Sequence, residues 1–364
     1  MKPNILFFCP REVNATMGGI ERVTDTLARF LINEGYMVVY MSVERTSDTE
    51  YDCAAPQYFT RAFGNEQYIL DIIRRHNISV VINQMGFFSY CPKSSLPSNV
   101  KIITVMHDSY YAMYPRLRLN FLRKWNWKRV ITKSLRNTYE QSDKIVVFVP
   151  PFIDEYRFFC PYAKDEKFAV IPNFNSYSAP HQTQKEKRVV WVGRHSEWNK
   201  RTTDILKIWS VLEPRFPEWS IDILGDGPDG EDVREFHAKI NLLHCNLCGT
   251  KDPKPYYERA SIVCMTSAFE SFGMVLTEGM QYGCVPMAYD SYTAVRYIIH
   301  DEEDGLLVTP FNTDEYVQKL ARLMENEDER IRLSDAAIKS VKQFDAERML
   351  PLWVELIENC NTSL

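Results

Sequence analysis

The chain has 364 residues, of which 45% are hydrophobic and 25% charged, with a formal net charge of −5. That length suits two domains with a core each, and the acidic balance excludes a general nucleic-acid binder. No run approaches the roughly 18 apolar residues of a membrane span, and nine scattered cysteines imply reduced thiols in a cytoplasmic protein rather than a disulfide framework.

In chain order, the apolar run 5–9 reads as a first strand, since it stops at Pro10 and is too short for a signal peptide. Residues 19–33 read as a helix, with Ile20, Val23, Leu27, Phe30 and Leu31 as its apolar stripe, ended by Gly35. A strand at 37–42, a helix at 67–76 and strands at 80–82 and 102–105 follow. The segment 136–141 closes a long helical region before the apolar run 144–149. This alternation predicts a parallel sheet covered by helices.

The polar segment 176–187, with Pro180, Gln182 and Gln184, reads as a linker between a domain at 1–175 and one at 188–344. Strands are expected at 188–192, 220–224, 242–247, 261–265, 284–289 and 305–308. Within 345–364, Met349, Leu352, Trp353, Leu356, Ile357 and Cys360 keep helical spacing. The fold class is therefore α/β, with two doubly wound Rossmann-like domains and ligands expected at the carboxyl ends of strands, in the cleft between the domains. Cys245 and Cys248 form a lone pair with His237 and His244 nearby; a metal is one reading, and reduced cysteines on a core strand are the simpler one.

The most informative stretch is 268–280, where Glu270, Phe272, Gly273, Met274 and Glu278 follow a short apolar strand and open a helix. Free N–H groups at a helix start attract anions, and two carboxylates eight residues apart stand about 12 Å apart on a helix. That matches a ligand with hydroxyls at both ends and phosphate between; a helix with one capping and one solvated Glu is the alternative. Arg194 follows Gly193 at a strand end and Lys200 comes six residues later, cations suited to a diphosphate or to a solvated surface. Gly18 and Gly19 open the first helix too far from the first strand for the dinucleotide fingerprint. His107-Asp108 sits at a strand's carboxyl end, where ligands bind.

These stretches together resemble retaining GT-B glycosyltransferases of family 4: the Glu-x7-Glu pattern at 270–278, Val192-Gly193-Arg194 with Lys200-Arg201, Gly225-Asp226-Gly227-Pro228, and Met17-Gly18-Gly19-Ile20-Glu21-Arg22-Val23. The resemblance covers nearly the whole chain. It implies that Arg194 and Lys200 hold the diphosphate, and that Glu270 takes donor-sugar hydroxyls with the amides of Phe272, Gly273 and Met274. It further implies that Glu278 takes the ribose, that His107 faces the donor sugar, that Gly18, Gly19 and Gly225 help bind the donor, and that the last helix crosses back onto the first domain. The expected activity is transfer of a hexose-type sugar from a nucleotide-diphosphate sugar to a glycan or lipid-linked hydroxyl, with retention, in polysaccharide or lipopolysaccharide biosynthesis. No metal or other cofactor is expected, since fixed cations balance the diphosphate and Asp-x-Asp is absent. An epimerase, a phosphorylase or an inactive sugar-binding protein on the same fold are the alternatives.

Between Ser109 and Tyr139 there is no acidic residue, and Arg123, Lys124, Trp125, Lys128 and Arg129 lie within that stretch. A helix of this composition suits an anionic membrane surface, which places the protein peripherally at the inner face of the membrane. A solvated cationic face over core tryptophans is the alternative.

Overall fold

The computed structural model describes residues 2–14, 18–45, 52–60, 65–117, 120–175 and 184–362. Met17 of the glycine motif, Arg118 and Leu119 of the basic stretch, and 176–183 of the expected linker lie outside the described residues. The chain divides into two compact units, Met1–Ser176 with Ala346–Leu364, and Tyr177–Asp345.

The first unit is built on β1 (Asn4–Arg11), β2 (Val38–Glu44), β3 (Gln57–Phe59), β4 (Ile78–Asn83), β5 (Lys101–Val105), β6 (Lys144–Val147) and β7 (Phe168–Val170). They pair in parallel in the order β3-β2-β1-β4-β5-β6-β7. The connections carry α1 (Gly19–Asn33), α2 (Glu66–Arg75), α3 (Tyr110–Met113), α4 (Phe121–Gln141) and α5 (Phe152–Phe159). Ile5, Leu6, Phe7 and Phe8 in succession are fully buried. A parallel strand covered on both faces has no solvent side, so its sequence is a continuous apolar run.

The second unit repeats the plan with β8 (Glu186–Val192), β9 (Ser220–Leu224), β10 (Cys245–Gly249), β11 (Ala260–Met265), β12 (Val285–Tyr289) and β13 (Leu306–Val308). Their order is β10-β9-β8-β11-β12-β13, again all parallel. Its helices are α6 (Thr202–Leu212), α7 (Gly230–Ile240), α8 (Lys254–Arg259), α9 (Met274–Gln281), α10 (Val295–Ile298), α11 (Thr313–Glu325) and α12 (Glu327–Ser340). Trp191, Trp209 and Trp219 anchor its core. The last helix, α13 (Ala346–Thr362), packs on α1 and β4 of the first unit, where Tyr36 donates to Glu358 at 2.6 Å.

Two strands have no counterpart in the sequence reading. β3 and β7 are three-residue edge strands, too short to show a period. β10 begins at Cys245 rather than at residue 242. Asn241 ends α7 in the left-handed region, and Glu213 binds the amides of Leu243 and His244. Leu243 is left exposed, so the apolar pair Leu242-Leu243 is a turn. Cys245 and Cys248 lie on this edge strand, and all nine cysteines are free thiols.

Candidate functional site

β8 and β11 are neighbours in the second sheet, so the loops leaving their carboxyl ends meet. Specific bonds tie these loops together. Trp191 Nε1 donates to Thr266 Oγ1 at 3.0 Å, and that hydroxyl donates to the carbonyls of Lys200 and Arg201 at 2.9 and 3.2 Å. The Ala268 amide donates to the Asn199 carbonyl at 2.6 Å. The result brings Lys200 Nζ onto Glu270 Oε1, a half-buried ion pair between residues 70 positions apart.

Directly after Glu270 the chain enters α9. Gly273 caps it with φ 108°, in the left-handed region, and no described side chain caps the helix start. A Cβ there would stand 2.4 Å from the Tyr292 hydroxyl, so both conformation and space require glycine. The first amides of a helix have no intrahelical acceptor, and with the macrodipole they form an anion-seeking end. Arg194 is exposed beside this end of the sheet and forms no hydrogen bond or ion pair among the described residues. Arg201, by contrast, is turned away: it bonds Asp204 at 2.6 Å and lies over the Phe311 ring.

Glu278 lies in the core, unlike Glu270: it is 2% exposed and accepts from the Tyr257 hydroxyl at 3.3 Å. The cause is close packing of α9 on β11, where a Cβ on Gly279 would stand 2.6 Å from Val263. Gly225 has a packing role of the same kind. Its φ is 129°, and a Cβ would stand 1.9 Å from the Gly193 carbonyl oxygen, so the strand ends of β8 and β9 meet backbone to backbone there.

The remaining expected residues belong to the first unit. His107, at the end of β5, is bonded through Nε2 to Gln84 Oε1 at 2.6 Å. An amide oxygen only accepts, so Nε2 carries the proton and Nδ1 of the neutral ring is the acceptor. Burial pushes its pKa down to about 4, which keeps the ring neutral. With Gln84, Asp108, Tyr110 and Asn137 it lines a cavity of about 160 Å³. Gly18 caps α1 in extended backbone, and a Cβ there would stand 2.5 Å from the Glu21 carboxylate, which is ion-paired to Arg11 at 2.9 Å.

On α4 the expected residues separate. Arg123, Trp125 and Arg129 are exposed, with Arg129 over the Trp125 ring at 5.8 Å. Lys124 and Lys128 fold back, over Tyr114 at 5.0 Å and over Phe158 at 3.8 Å. Trp127 is half-buried and stacked on Tyr114.

Sequence reasoning missed His195, Trp198 and Tyr292. His195 is 3% exposed, with neither ring nitrogen bonded among the described residues, and burial lowers its pKa. Trp198 is exposed at the rim against Phe269. Each reads in the sequence as one more aromatic in a turn.

Among the described residues no group of three or more His, Cys, Asp or Glu side chains converges as a metal centre would need. No described helix is long and apolar enough to cross a membrane.

Two all-parallel Rossmann-like units in one chain are the plan of the GT-B class of glycosyltransferase. The profile described as "Glycosyl transferases group 1" matches residues 174–340, and that of "Glycosyltransferase Family 4" matches 17–174. The chain belongs to this family. An uncharacterized glycosyltransferase of Haemophilus influenzae is 23% identical, covering 92% of this chain and 95% of its own. The amylovoran biosynthesis glycosyltransferase AmsD of Erwinia amylovora is also 23% identical, covering 93% and 96%. The structure of Anabaena HepE in complex with UDP and glucose shares the fold, with TM-score 0.76 and 13% identity over 98% of this chain and 100% of that one.

Proposed function

We propose that this glycosyltransferase moves a hexose-type sugar from a nucleoside-diphosphate sugar to a hydroxyl of a glycan or lipid-linked acceptor, with retention and without a metal, in cell-surface polysaccharide or lipopolysaccharide biosynthesis. The observation that carries the reading is the Lys200–Glu270 pair beside the uncapped start of α9. A diphosphate brings more negative charge than Glu270, so it draws Lys200 and finds Arg194 and the helix start as further counter-charges. Glu270, released from Lys200, then takes sugar hydroxyls. Charge developing on the leaving diphosphate is met by groups already in place, which lowers the barrier without a metal ion. His107 offers Nδ1 to a sugar hydroxyl. UDP and glucose in the HepE structure, and the polysaccharide named for AmsD, support a UDP-sugar donor and a polysaccharide product.

The test is incubation with a panel of UDP-, GDP-, ADP- and CDP-sugars and glycan acceptors, following release of nucleoside diphosphate and the anomeric configuration of the product by NMR. Release with one donor class, a retained configuration and undiminished rates in EDTA are expected. Loss of activity in EDTA, restored by manganese, overturns metal independence; an inverted product overturns retention.

We propose further that the enzyme works peripherally at the inner face of a membrane, held there by α4. Its exposed aromatic and cationic side chains support this placement.

A further inference from the structure

The loop after β12 reaches the same helix start by another route. The Ser291 hydroxyl donates to the Ser267 carbonyl at 2.6 Å, fastening this loop to the one that carries Glu270. The next residue, Tyr292, is 5% exposed, and its hydroxyl has no hydrogen-bond partner among the described residues. That hydroxyl occupies the space a side chain on Gly273 would need, directly beneath the start of α9. A buried hydroxyl without a partner costs stability, and phenylalanine would fill the same volume without that cost. Burial, and next the charge of Glu270, hold the phenol's pKa well above its ordinary value, so it is protonated and a donor.

We propose that Tyr292 is a positioning residue of the donor site: when a nucleoside diphosphate draws Lys200 off Glu270, the Tyr292 hydroxyl becomes the donor that holds the freed carboxylate. The exchange balances simply. In the empty protein Glu270 is satisfied by Lys200 and Tyr292 is unsatisfied; in the occupied site Lys200 faces phosphate and the phenol O–H turns to Glu270. With a nucleoside diphosphate bound and no sugar hydroxyl present, the half-buried carboxylate would otherwise be left with a like charge and no donor. No proton leaves the phenol and no bond other than hydrogen bonds changes. The inference rests on the donor-site reading given above.

A double-mutant cycle tests it. UDP, GDP, ADP and CDP are titrated calorimetrically into the wild-type protein, and the tightest of them into Tyr292→Phe, Glu270→Gln and the double variant, alongside thermal unfolding of each empty protein. Tyr292→Phe is expected to weaken nucleotide binding about tenfold while the unfolding midpoint of the empty protein stays level or rises. In the Glu270→Gln background, where no charge is set free, the same change is expected to have no effect on binding. An equal loss in both backgrounds, or a lowered midpoint matched by the binding loss, makes Tyr292 merely structural and overturns the inference. Wild-type affinity in Tyr292→Phe overturns it as well, leaving the donor site standing. If the wild-type protein binds none of the four nucleotides, the donor-site reading itself fails and this inference with it.

Discussion

Glu270 and Glu278 belong to one local pattern, but their surroundings give them different chemistry. Glu270 stands half-buried in an ion pair with Lys200. Glu278 is sealed into the packing of α9 and bonded by Tyr257. Glu270→Gln and Glu278→Gln are each expected to raise the barrier to transfer by about 2–4 kcal/mol, read as kcat/KM with the donor identified by the panel. Urea unfolding separates the two carboxylates. Glu278→Ala leaves a void and removes a buried hydrogen bond, costing about 1–3 kcal/mol. Glu270→Ala leaves a lysine that water can reach, and its effect on stability is smaller. Wild-type rates in both Gln variants would remove these carboxylates from the site, and a fully stable Glu278→Ala would contradict its burial. The two-Glu pattern was legible because it is local: a strand, a glycine and a helix start within a dozen positions. The Lys200–Glu270 pair was not, because it exists only where β8 and β11 become neighbours. Tyr292 left no sequence signal either, since its meaning lies in a hydroxyl without a partner.

Among the elements, α4 shows how composition and geometry differ. At roughly 100° per residue, Leu122, Trp125, Arg129, Lys133 and Arg136 fall within one arc of about 80°. All five are exposed, with Leu122 72% and Trp125 55% accessible, and Phe121 at the tip is 81% accessible. The apolar residues lead and the cations follow along the same face. That order suits a tip at the headgroup boundary and a shaft along anionic headgroups. Lys124 and Lys128, which share the composition, are held against Tyr114 and Phe158. Co-sedimentation with liposomes containing anionic lipid is expected at low salt and lost at high salt. Changing Arg129, Lys133 and Arg136 to Ser should weaken it by about 1 kcal/mol per residue. Changing Lys124 and Lys128 should do much less. A protein that stays in the supernatant with every lipid would make α4 a structural helix and the acceptor soluble. The strands were legible where they are buried on both faces, as in β1; β3, β7 and the start of β10 were not, because three residues carry no period and a turn can be apolar.

At the scale of the whole molecule, sequence order and structural order part company. The second unit is one continuous stretch, whereas the first is closed by a helix that comes after the second in the chain. α13 buries Met349, Leu350, Trp353, Leu356, Ile357 and Cys360. At about 1.5–3 kcal/mol for each large apolar side chain removed from water, this approaches the total stability of an ordinary domain. Its removal would also uncover the surfaces of α1 and β4 on which it packs. A chain ending at Asp345 is therefore expected to lose the first unit selectively. The second unit keeps every strand of its sheet and all of α6 to α12. Limited proteolysis followed by mass spectrometry distinguishes the outcomes: rapid cleavage before residue 176 with a resistant fragment beginning near the start of β8 is expected. The same chain should retain nucleoside-diphosphate binding, because Arg194, Lys200, Glu270 and the start of α9 all lie in the second unit, while transfer is lost. Equal resistance of both units in the shortened chain would show that α13 is dispensable to the first unit's core.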